Sequence, residues 1–336
     1  MKLINRFFIS FVFLTIILFS FQKLTVAQDT ISPPNPGGLT KVYISMIVNN
    51  ITKVIAANQL ITADIVLTAR WNDPRLKHNM ESNIVVSADK IWDPFLTFSN
   101  GMNISKSFPD NFTILQDGTV LYLQRIYGDF TQEFMLQNFP FDEQDFNIRI
   151  INISMNTNNV KLEPDTAIIS KLNNHLTLSD WIIEDWSFEK SPFSINNEGR
   201  EISTLLFSIN AKRQSGYYLL IFIIPLVLII MMSLMAFWLP ANLSASQINV
   251  GTTSMLTLIA YRFIVTSELP KISYMTRMDV FILGSSVLIF LTLLESVMTS
   301  TFANQGKSEL AQKIDVKCRY IFPLLYFAVA LIALYA

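Results

Sequence analysis

Two hydrophobic patterns divide the chain near residue 213. Between Lys41 and Arg213, apolar and polar residues alternate with a period of two, and β-branched residues are frequent. The clearest examples are the segments KVYISMIVNN, ITADIVLTARW, NIRIINISM and STLLFSINAKR. Such alternation is typical of half-buried strands, and clusters of Asn, Asp, Pro and Gly separate the segments. We therefore expect residues 28–213 to form an antiparallel β-sandwich of the immunoglobulin-like type.

Residues 214–336 contain apolar runs that are long enough to cross a bilayer as helices. The runs predict four membrane helices at approximately 214–238, 245–268, 278–302 and 318–336. The segment between the last two helices carries Lys307, Lys313 and Lys317, which the positive-inside rule assigns to the cytoplasmic side. The expected architecture is thus an outer sandwich followed by an all-α four-helix transmembrane domain.

The N-terminus has the pattern of a cleavable signal peptide. Lys2 and Arg6 precede an apolar run, and small residues around Ala27 precede a polar stretch. We predict a signal peptide over residues 1–27, with an uncleaved anchor helix as the alternative. The sandwich would then lie in the periplasm or outside the cell, and the protein would be integral to the inner or plasma membrane.

The second predicted membrane helix carries more polar groups than a lipid-facing helix can use, because each is costly to desolvate. Steps of four and three place six residues on one stripe of this helix: Asn249, Thr253, Leu256, Ala260, Phe263 and Ser267. Several copies around an axis would form a water path with an apolar waist, which can gate by dewetting. The alternative is a packed helix whose Ser and Thr hydroxyls bond to its own backbone.

Composition argues against several other functions. The chain is 51% hydrophobic and 15% charged with a net charge of −1, so nothing indicates a nucleic-acid partner. It has one cysteine, Cys318, and two widely separated histidines, so neither a metal site nor a cofactor is predicted. We find no Ser-His-Asp arrangement, no glycine-rich phosphate loop and no carboxylate pair inside a membrane helix. An enzyme is therefore not expected.

Several short motifs occur in a particular order. They are Trp71-Asn-Asp-Pro74, Lys90-Ile-Trp-Asp-Pro94, Asp117-Gly-Thr-Val120, Phe139-Pro-Phe-Asp142, Pro225 in the first membrane helix, and Leu269-Pro-Lys271 after the second. In this order they resemble the pentameric ligand-gated ion channels, the Cys-loop receptor superfamily. Gln132 and Phe146 stand where animal receptors carry the loop-closing cysteines. The resemblance is therefore to a prokaryotic-type member without that disulfide.

This resemblance implies an agonist pocket between adjacent outer domains, with an aromatic box that could bind an amine through cation–π attraction. Trp92, Phe95 and Phe193 would belong to one face of a subunit. Trp71 and Tyr122 would belong to the opposing face. The alternatives are that Trp71 and Trp92 are sandwich core, and that protons rather than an amine open the channel.

The resemblance also implies how the two domains communicate and what the assembly contains. Asp142 and Arg213 match the family's interdomain ion pair, and Pro270 and Lys271 match the linker after the pore helix. We expect a homopentamer in membrane lipid that binds a small agonist and passes ions. Glu268, at the outer mouth, favours cations, unless it pairs with Lys271. An anion-selective channel and a non-conducting sensor of the same fold are the alternatives.

Overall fold

The computed structural model describes residues 31–35, 37–153, 159–174, 176–191, 193–194, 201–240, 243–268 and 272–335. The predicted signal peptide lies outside the described residues. The described residues of the outer domain form fourteen strands: β1 Thr40–Ile55, β2 Leu60–Asn72, β3 Ile84–Ser87, β4 Leu96–Phe98, β5 Gly101–Lys106, β6 Asn111–Ile114, β7 Thr119–Thr131, β8 Glu143–Asn152, β9 Val160–Pro164, β10 Lys171–Leu172, β11 Trp181–Lys190, β12 Phe193–Ser194, β13 Glu201–Ile202 and β14 Thr204–Arg213.

The strands form two main sheets, as the alternating pattern predicts. One sheet has the order β10-β1-β2-β7-β6-β3, with β5 also paired to β7 and β9 paired to β1. The other has the order β11-β14-β8-β4, and β12 pairs with β13 separately. Most pairs are antiparallel, but β9 and β10 run parallel to β1. The predicted β-sandwich class is confirmed.

The core of the sandwich consists of the alternate residues of each long strand. Along β2 these are Ile61, Ala63, Ile65, Leu67, Ala69 and Trp71; along β14 they are Leu205, Phe207, Ile209 and Ala211. All ten are at most 3% exposed. Burying one large apolar side chain in this way contributes about 1.5–3 kcal/mol to folding. A shift of register by one residue would expose the whole set, so this pattern fixes the strand pairing.

Gly118 connects two of the sequence motifs. It lies in the turn before β7 with φ +84°, and its carbonyl accepts a hydrogen bond from the backbone N–H of Asp73 at 2.9 Å. A Cβ at Gly118 would lie 2.6 Å from the carbonyl oxygen of Asp73. Only glycine therefore fits the positive φ and the close approach.

Within the described part of the membrane domain, four helices are long and apolar enough to cross a bilayer: α1 Ser215–Trp238, α2 Ser244–Glu268, α3 Arg277–Asn304 and α4 Ser308–Tyr335. The last strand ends at Arg213, so α1 follows the sandwich with almost no linker. A π-helical segment, Leu219–Ile223, precedes Pro225 in α1, and such irregularities accommodate a proline that cannot donate its backbone hydrogen bond.

The fourth helix begins ten residues earlier than the sequence prediction of 318. Its first turns, from Ser308, carry Glu309, Lys313 and Asp315, which lower the local hydropathy below that of a membrane span. The chain turns between α3 and α4 at Gly306, which has φ +80°. The predicted cytoplasmic loop is therefore mostly helix, and Asp315 lies inside the bundle rather than in a loop.

Candidate functional site

The second membrane helix, α2, has one packed face and one exposed face. The packed face consists of six buried residues: Gln247, Gly251, Ser254, Leu258, Tyr261 and Val265. The predicted stripe points about 160° away from this face on a helix of 3.6 residues per turn. Within it Leu256 is 69% and Phe263 is 75% exposed in the single subunit.

Tight contacts hold the packed face of α2 against its neighbours. The Tyr261 hydroxyl donates to the carbonyl of Phe222 in α1. A Cβ at Gly251 would lie 3.0 Å from Leu293 Cδ1, so the small residue allows α2 and α3 to approach closely. The orientation of α2 is thus set by its packing, and Asn249 and Thr253 are left on the exposed side.

Some Ser and Thr hydroxyls of α2 bond to the backbone of their own helix, as expected for the alternative of a packed helix. Hydroxyls of Thr252, Ser254 and Thr257 donate to carbonyls three or four residues earlier, at 2.8–3.1 Å. None of these three belongs to the predicted stripe. Backbone bonding therefore accounts for hydroxyls beside the stripe and leaves the assignment of the stripe itself as a prediction.

The outer end of α2 is only partly described. Ser267 and Glu268 lie within the helix, but their side chains are outside the described part of the chain. Pro270 and Lys271 are also outside the described residues. Their predicted roles at the outer mouth and in the linker stay predictions.

Asp142 and Arg213 meet where the sandwich joins α1. Arg213 donates from Nε to Asp142 Oδ1 at 2.7 Å and from Nη2 to Oδ2 at 3.0 Å, and the side chains are 5% and 1% exposed. Gln144 donates to Asp142 Oδ2 at 2.8 Å. Burial opposes the charge of the guanidinium, but the bonds and attraction of Asp142 exceed that effect, so the pKa of Arg213 is raised.

Aromatic rings surround the Arg213 guanidinium. Its central carbon lies 4.2 Å from the ring centre of Trp181, 5.1 Å from that of Phe139 and 5.3 Å from that of Tyr218. Trp181 belongs to β11, Phe139 to the loop before β8, and Tyr218 to α1. Cation–π attraction in this desolvated setting adds to the ion pair. One arginine therefore contacts the sandwich, the Phe139 loop and the first membrane helix.

A second interdomain contact comes from the segment after α2. The Tyr274 hydroxyl donates to the carbonyl of Phe134 at 3.2 Å and accepts from the N–H of Leu136 at 3.1 Å. The N–H of Arg277 donates to the carbonyl of Gln137 at 3.0 Å. The Phe139 loop is thus bonded both to the start of α1 and to the segment connecting α2 with α3. Tyr274 belongs to the linker that resembles the family's, but its contact with the Phe139 loop could not be predicted from the sequence, because the contact depends on the relative placement of the two domains.

The structure brings Trp71 and Trp92 together in the core of one subunit. Their rings meet edge to face at 5.7 Å, Trp71 also meets Phe112 at 5.2 Å, and the tryptophans are 1% and 3% exposed. The expectation that they lie on opposing subunit faces is therefore wrong for this pair. The core accommodates both rings by edge-to-face packing.

The other predicted pocket residues lie nearer the surface. Phe95 is 54% exposed and has φ +49°. The Tyr122 hydroxyl donates to Asp110 Oδ1 at 2.8 Å, so that side chain already has a partner. Phe193 lies in β12, but its side chain is outside the described residues. An agonist-binding role for these residues stays a prediction.

An acidic residue that the sequence reading did not select lies between Trp92 and Phe95. Asp93 accepts the N–H of Phe95 at 2.7 Å, and burial, its largest influence, raises the pKa of the carboxyl. Nearby, Lys106 donates to Asp110 at 2.9 Å. Asp93 belongs to the Trp-Asp-Pro motif, which is visible in the sequence, but the burial of its carboxyl follows only from the fold.

A carboxyl pair lies between two helices of the membrane domain, and the sequence did not indicate it. Glu295 of α3 and Asp315 of α4 contact each other between the two helices. They were missed because each helix contributes a single acid and the predicted start of the fourth helix left Asp315 in a loop. Among the described residues, no group of three or more His, Cys, Asp or Glu is placed to hold a metal ion.

This combination of folds defines the subunit of a ligand-gated channel: a β-sandwich joined directly to four membrane helices. Comparison with known proteins agrees. A family model described as the neurotransmitter-gated ion-channel ligand binding domain matches residues 21–215, and one described as the neurotransmitter-gated ion-channel transmembrane region matches residues 222–312. The chain is also 25% identical over 305 residues to a proton-gated ion channel of Gloeobacter violaceus (strain ATCC 29082 / PCC 7421), covering 89% of this chain and 84% of the relative.

The chain therefore belongs to the neurotransmitter-gated ion-channel family. It is an integral membrane protein and a ligand-gated channel rather than an enzyme, and the family implies assembly as a pentamer. Its single cysteine, Cys318, lies in α4, so the loop that closes through a disulfide in animal receptors has none here.

Proposed function

We propose that five copies of this chain surround a pore lined by α2 and that the pore is closed by apolar rings. The observation that carries the proposal is the exposure of the α2 stripe opposite the face that packs on α1 and α3. Exposed Ile259 and Ile264 flank the stripe, and such apolar flanks suit contacts with neighbouring α2 helices. Rings of Asn249 and Thr253 at the cytoplasmic end would replace part of an ion's hydration shell.

Leu256 and Phe263 form the proposed barrier. Both are large, apolar and exposed on the same stripe, two turns apart. Rings of such residues around a narrow axis exclude water, so ions cannot pass until the rings move apart. Ala260 lies between them and leaves a wider section.

Cations are the proposed permeant ions, and the proposed assembly is a homopentamer. The support for cations is Glu268 at the outer end of α2, since an acidic ring raises the local cation concentration. The chain alone contains both the stripe and the interdomain contacts, which supports assembly from one kind of subunit.

The proposed agonist is the proton. One support is the similarity to the proton-gated channel, and another is that Trp71 and Trp92 are buried against each other and leave no open aromatic box. A third is Asp93, whose raised pKa allows its carboxyl to take up a proton at a higher pH than an ordinary aspartate. Protonation favours whichever conformation holds the proton more tightly, and we assign that conformation to the open channel.

Cysteine accessibility tests the pore. Thr253→Cys and Ser254→Cys are neighbours, but Thr253 is exposed on the stripe and Ser254 is buried on the packed face. A cationic thiol reagent should block current through Thr253→Cys and leave Ser254→Cys unchanged. The wild type, whose only cysteine is Cys318, is the control. Block of the Ser254 variant alone would reject this orientation of α2.

External acid steps test the agonist. We expect Asp93→Asn to shift the half-activating pH upward, because asparagine imitates the protonated carboxyl. Asp89→Asn is the matched control, since Asp89 is fully exposed and its pKa is lowered chiefly by a hydrogen bond from Ser87. If small amines evoked current at neutral pH and acid steps did not, the agonist would be an amine rather than the proton.

A further inference from the structure

Three polar side chains meet near the cytoplasmic ends of three membrane helices. Glu295 of α3, Asp315 of α4 and Gln247 of α2 are 9%, 2% and 1% exposed. Each lies within about 14 Å of the cytoplasmic end of its helix, at 1.5 Å per residue. We call these three residues the inner polar cluster.

The inner polar cluster has fewer hydrogen-bond donors than acceptors. Gln247 donates from Nε2 to the carbonyl of Leu239 at 2.9 Å and to Asp315 Oδ2 at 3.4 Å, which uses its amide donors. Three buried acceptors remain without a partner: Glu295 Oε1, Asp315 Oδ1 and Gln247 Oε1. Buried acceptors without donors are costly.

Neighbouring residues do not supply the missing donor. The Thr299 hydroxyl lies within hydrogen-bond reach of Asp315, but its single proton is directed to the backbone carbonyl of Glu295 at 3.0 Å. Arg319 donates to the carbonyl of Phe237 at 2.7 Å and lies over the Trp238 ring, so it acts on Asp315 from a distance. Cys318 contacts Glu295 and offers only a weak S–H donor. Among the described residues, α1 and α2 bring no titratable side chain to the cluster.

We propose that Glu295 and Asp315 form a proton-binding site that holds the cytoplasmic end of α2 through Gln247. Two carboxylates in contact inside a bundle cannot both stay ionised, because their repulsion is poorly screened there. One proton from water, placed between the facing oxygens, supplies the donor that both lack. The arrangement in the structure is the protonated one.

Loss of the proton changes the packing of α2. The proton returns to cytoplasmic water, the two carboxylates repel, and Asp315 separates from Glu295. Gln247 then either loses its hydrogen bond to Asp315 or moves with Asp315. Because Gln247 lies only two residues before Asn249, either change moves the cytoplasmic end of α2 next to the first residue of the stripe. Cytoplasmic pH is therefore a second input, separate from the agonist that acts on the outer domain.

Infrared difference spectroscopy of the reconstituted full-length protein tests the site directly. The wild type should show the C=O stretching band of a protonated carboxylic acid that disappears as pH rises. Glu295→Gln and Asp315→Asn should each abolish that band, whereas Glu309→Gln, at an exposed acid in the first turn of α4, should leave it unchanged. Absence of a titrating band in the wild type would overturn the proposal, even if a variant failed to fold.

Inside-out patches test the coupling and rest on the proposed channel function. Current from the wild type should change with the pH of the cytoplasmic bath, and Glu295→Gln should lose that dependence while its response to outside agonist remains. Equal dependence in both would overturn the coupling to α2. A spectral band without any current would instead uphold the site and contradict the proposed channel function.

Discussion

The buried Asp142–Arg213 ion pair lies directly beside an exposed pair made by the adjacent residues, Glu143 at the start of β8 and Lys212 in β14. Lys212 donates to Glu143 at 2.7 Å, and both side chains are 50% exposed, whereas Asp142 and Arg213 are at most 5% exposed. The two pairs are made by sequence neighbours and differ in burial and in their contact with α1. This contrast separates interdomain coupling from ordinary surface electrostatics.

Arg213→Ala should abolish agonist-evoked current, and Lys212→Ala should not. Removing one partner of a buried pair costs about 3–5 kcal/mol, whereas an exposed pair contributes about 0.2–1 kcal/mol. Arg213→Lys should restore gating only in part, because lysine cannot make both hydrogen bonds. Current is measured alongside surface labelling, which should remain. Normal activation of Arg213→Ala would remove the coupling assignment.

Leu256→Ser or Phe263→Ala should give channels that leak at rest or open more easily. Each change removes apolar surface from a ring that excludes water. Leu294→Ser is the matched control, since Leu294 is 43% exposed on α3 and lies off the α2 stripe. Resting conductance without agonist is the measurement. If the α2 variants were as tight as the wild type, the barrier would have to lie elsewhere.

Gly284→Ala should loosen the contact between α3 and α4. A Cβ at Gly284 would lie 2.5 Å from Val329 Cγ1, so either the Val329 side chain or one of the two helices must shift. Overpacking of this kind costs about 1–3 kcal/mol. Thermal unfolding in detergent should show a lower midpoint, and adding Val329→Ala should recover much of the loss. If the double variant were no better than the single one, the close approach would not be the cause.

The stability difference between wild type and Arg70→Ala should shrink on acidification. Arg70 donates to Asp165 at 2.9 and 3.0 Å, and this interaction, the largest influence, lowers the pKa of Asp165 below 3.8. A carboxyl whose pKa is lower in the folded state stabilises the fold at pH values above its ordinary pKa. That stabilisation is lost as the pH falls through the pKa of the folded state. Unfolding midpoints measured from pH 7 to below about 4 should converge.

Lys212→Ala serves as the control for that series. The raised pKa of Lys212 comes mainly from its hydrogen bond with Glu143, and both side chains of this surface pair are half exposed. Its effect on the unfolding midpoint should be small throughout the pH range. If the difference in unfolding midpoint between wild type and Arg70→Ala stayed constant with pH, Arg70 would stabilise the fold by its packing rather than by its charge.

Periodic features of the sequence predicted the fold well. The alternation of apolar and polar residues with a period of two predicts which residues of β2 and β14 face the core. Steps of three and four residues along α2 identify the side of that helix that is left unpacked. Both follow from the geometry of a single element, so they require no knowledge of its neighbours. The position of Asp142 opposite Arg213 came instead from the resemblance to the channel family.

Features that depend on two or more elements were missed or misplaced. Trp71 and Trp92 look like pocket residues because aromatic rings suit both a ligand and a core, and only the packing of the two sheets decides between them. Glu295 and Asp315 are separate acids until α3 and α4 pair. Their encounter depends on where α4 begins, which low hydropathy in its first turns conceals.

Voltage-clamp current from cells that express this chain alone tests the central claim most directly. External acid steps should evoke current, and dilution of the external salt should then move the reversal potential to more negative voltages, as cation permeation requires. A shift to positive voltages would keep the channel and reverse the proposed selectivity. Silence of both the wild type and Leu256→Ser, with protein shown at the surface, would contradict a pore lined by α2.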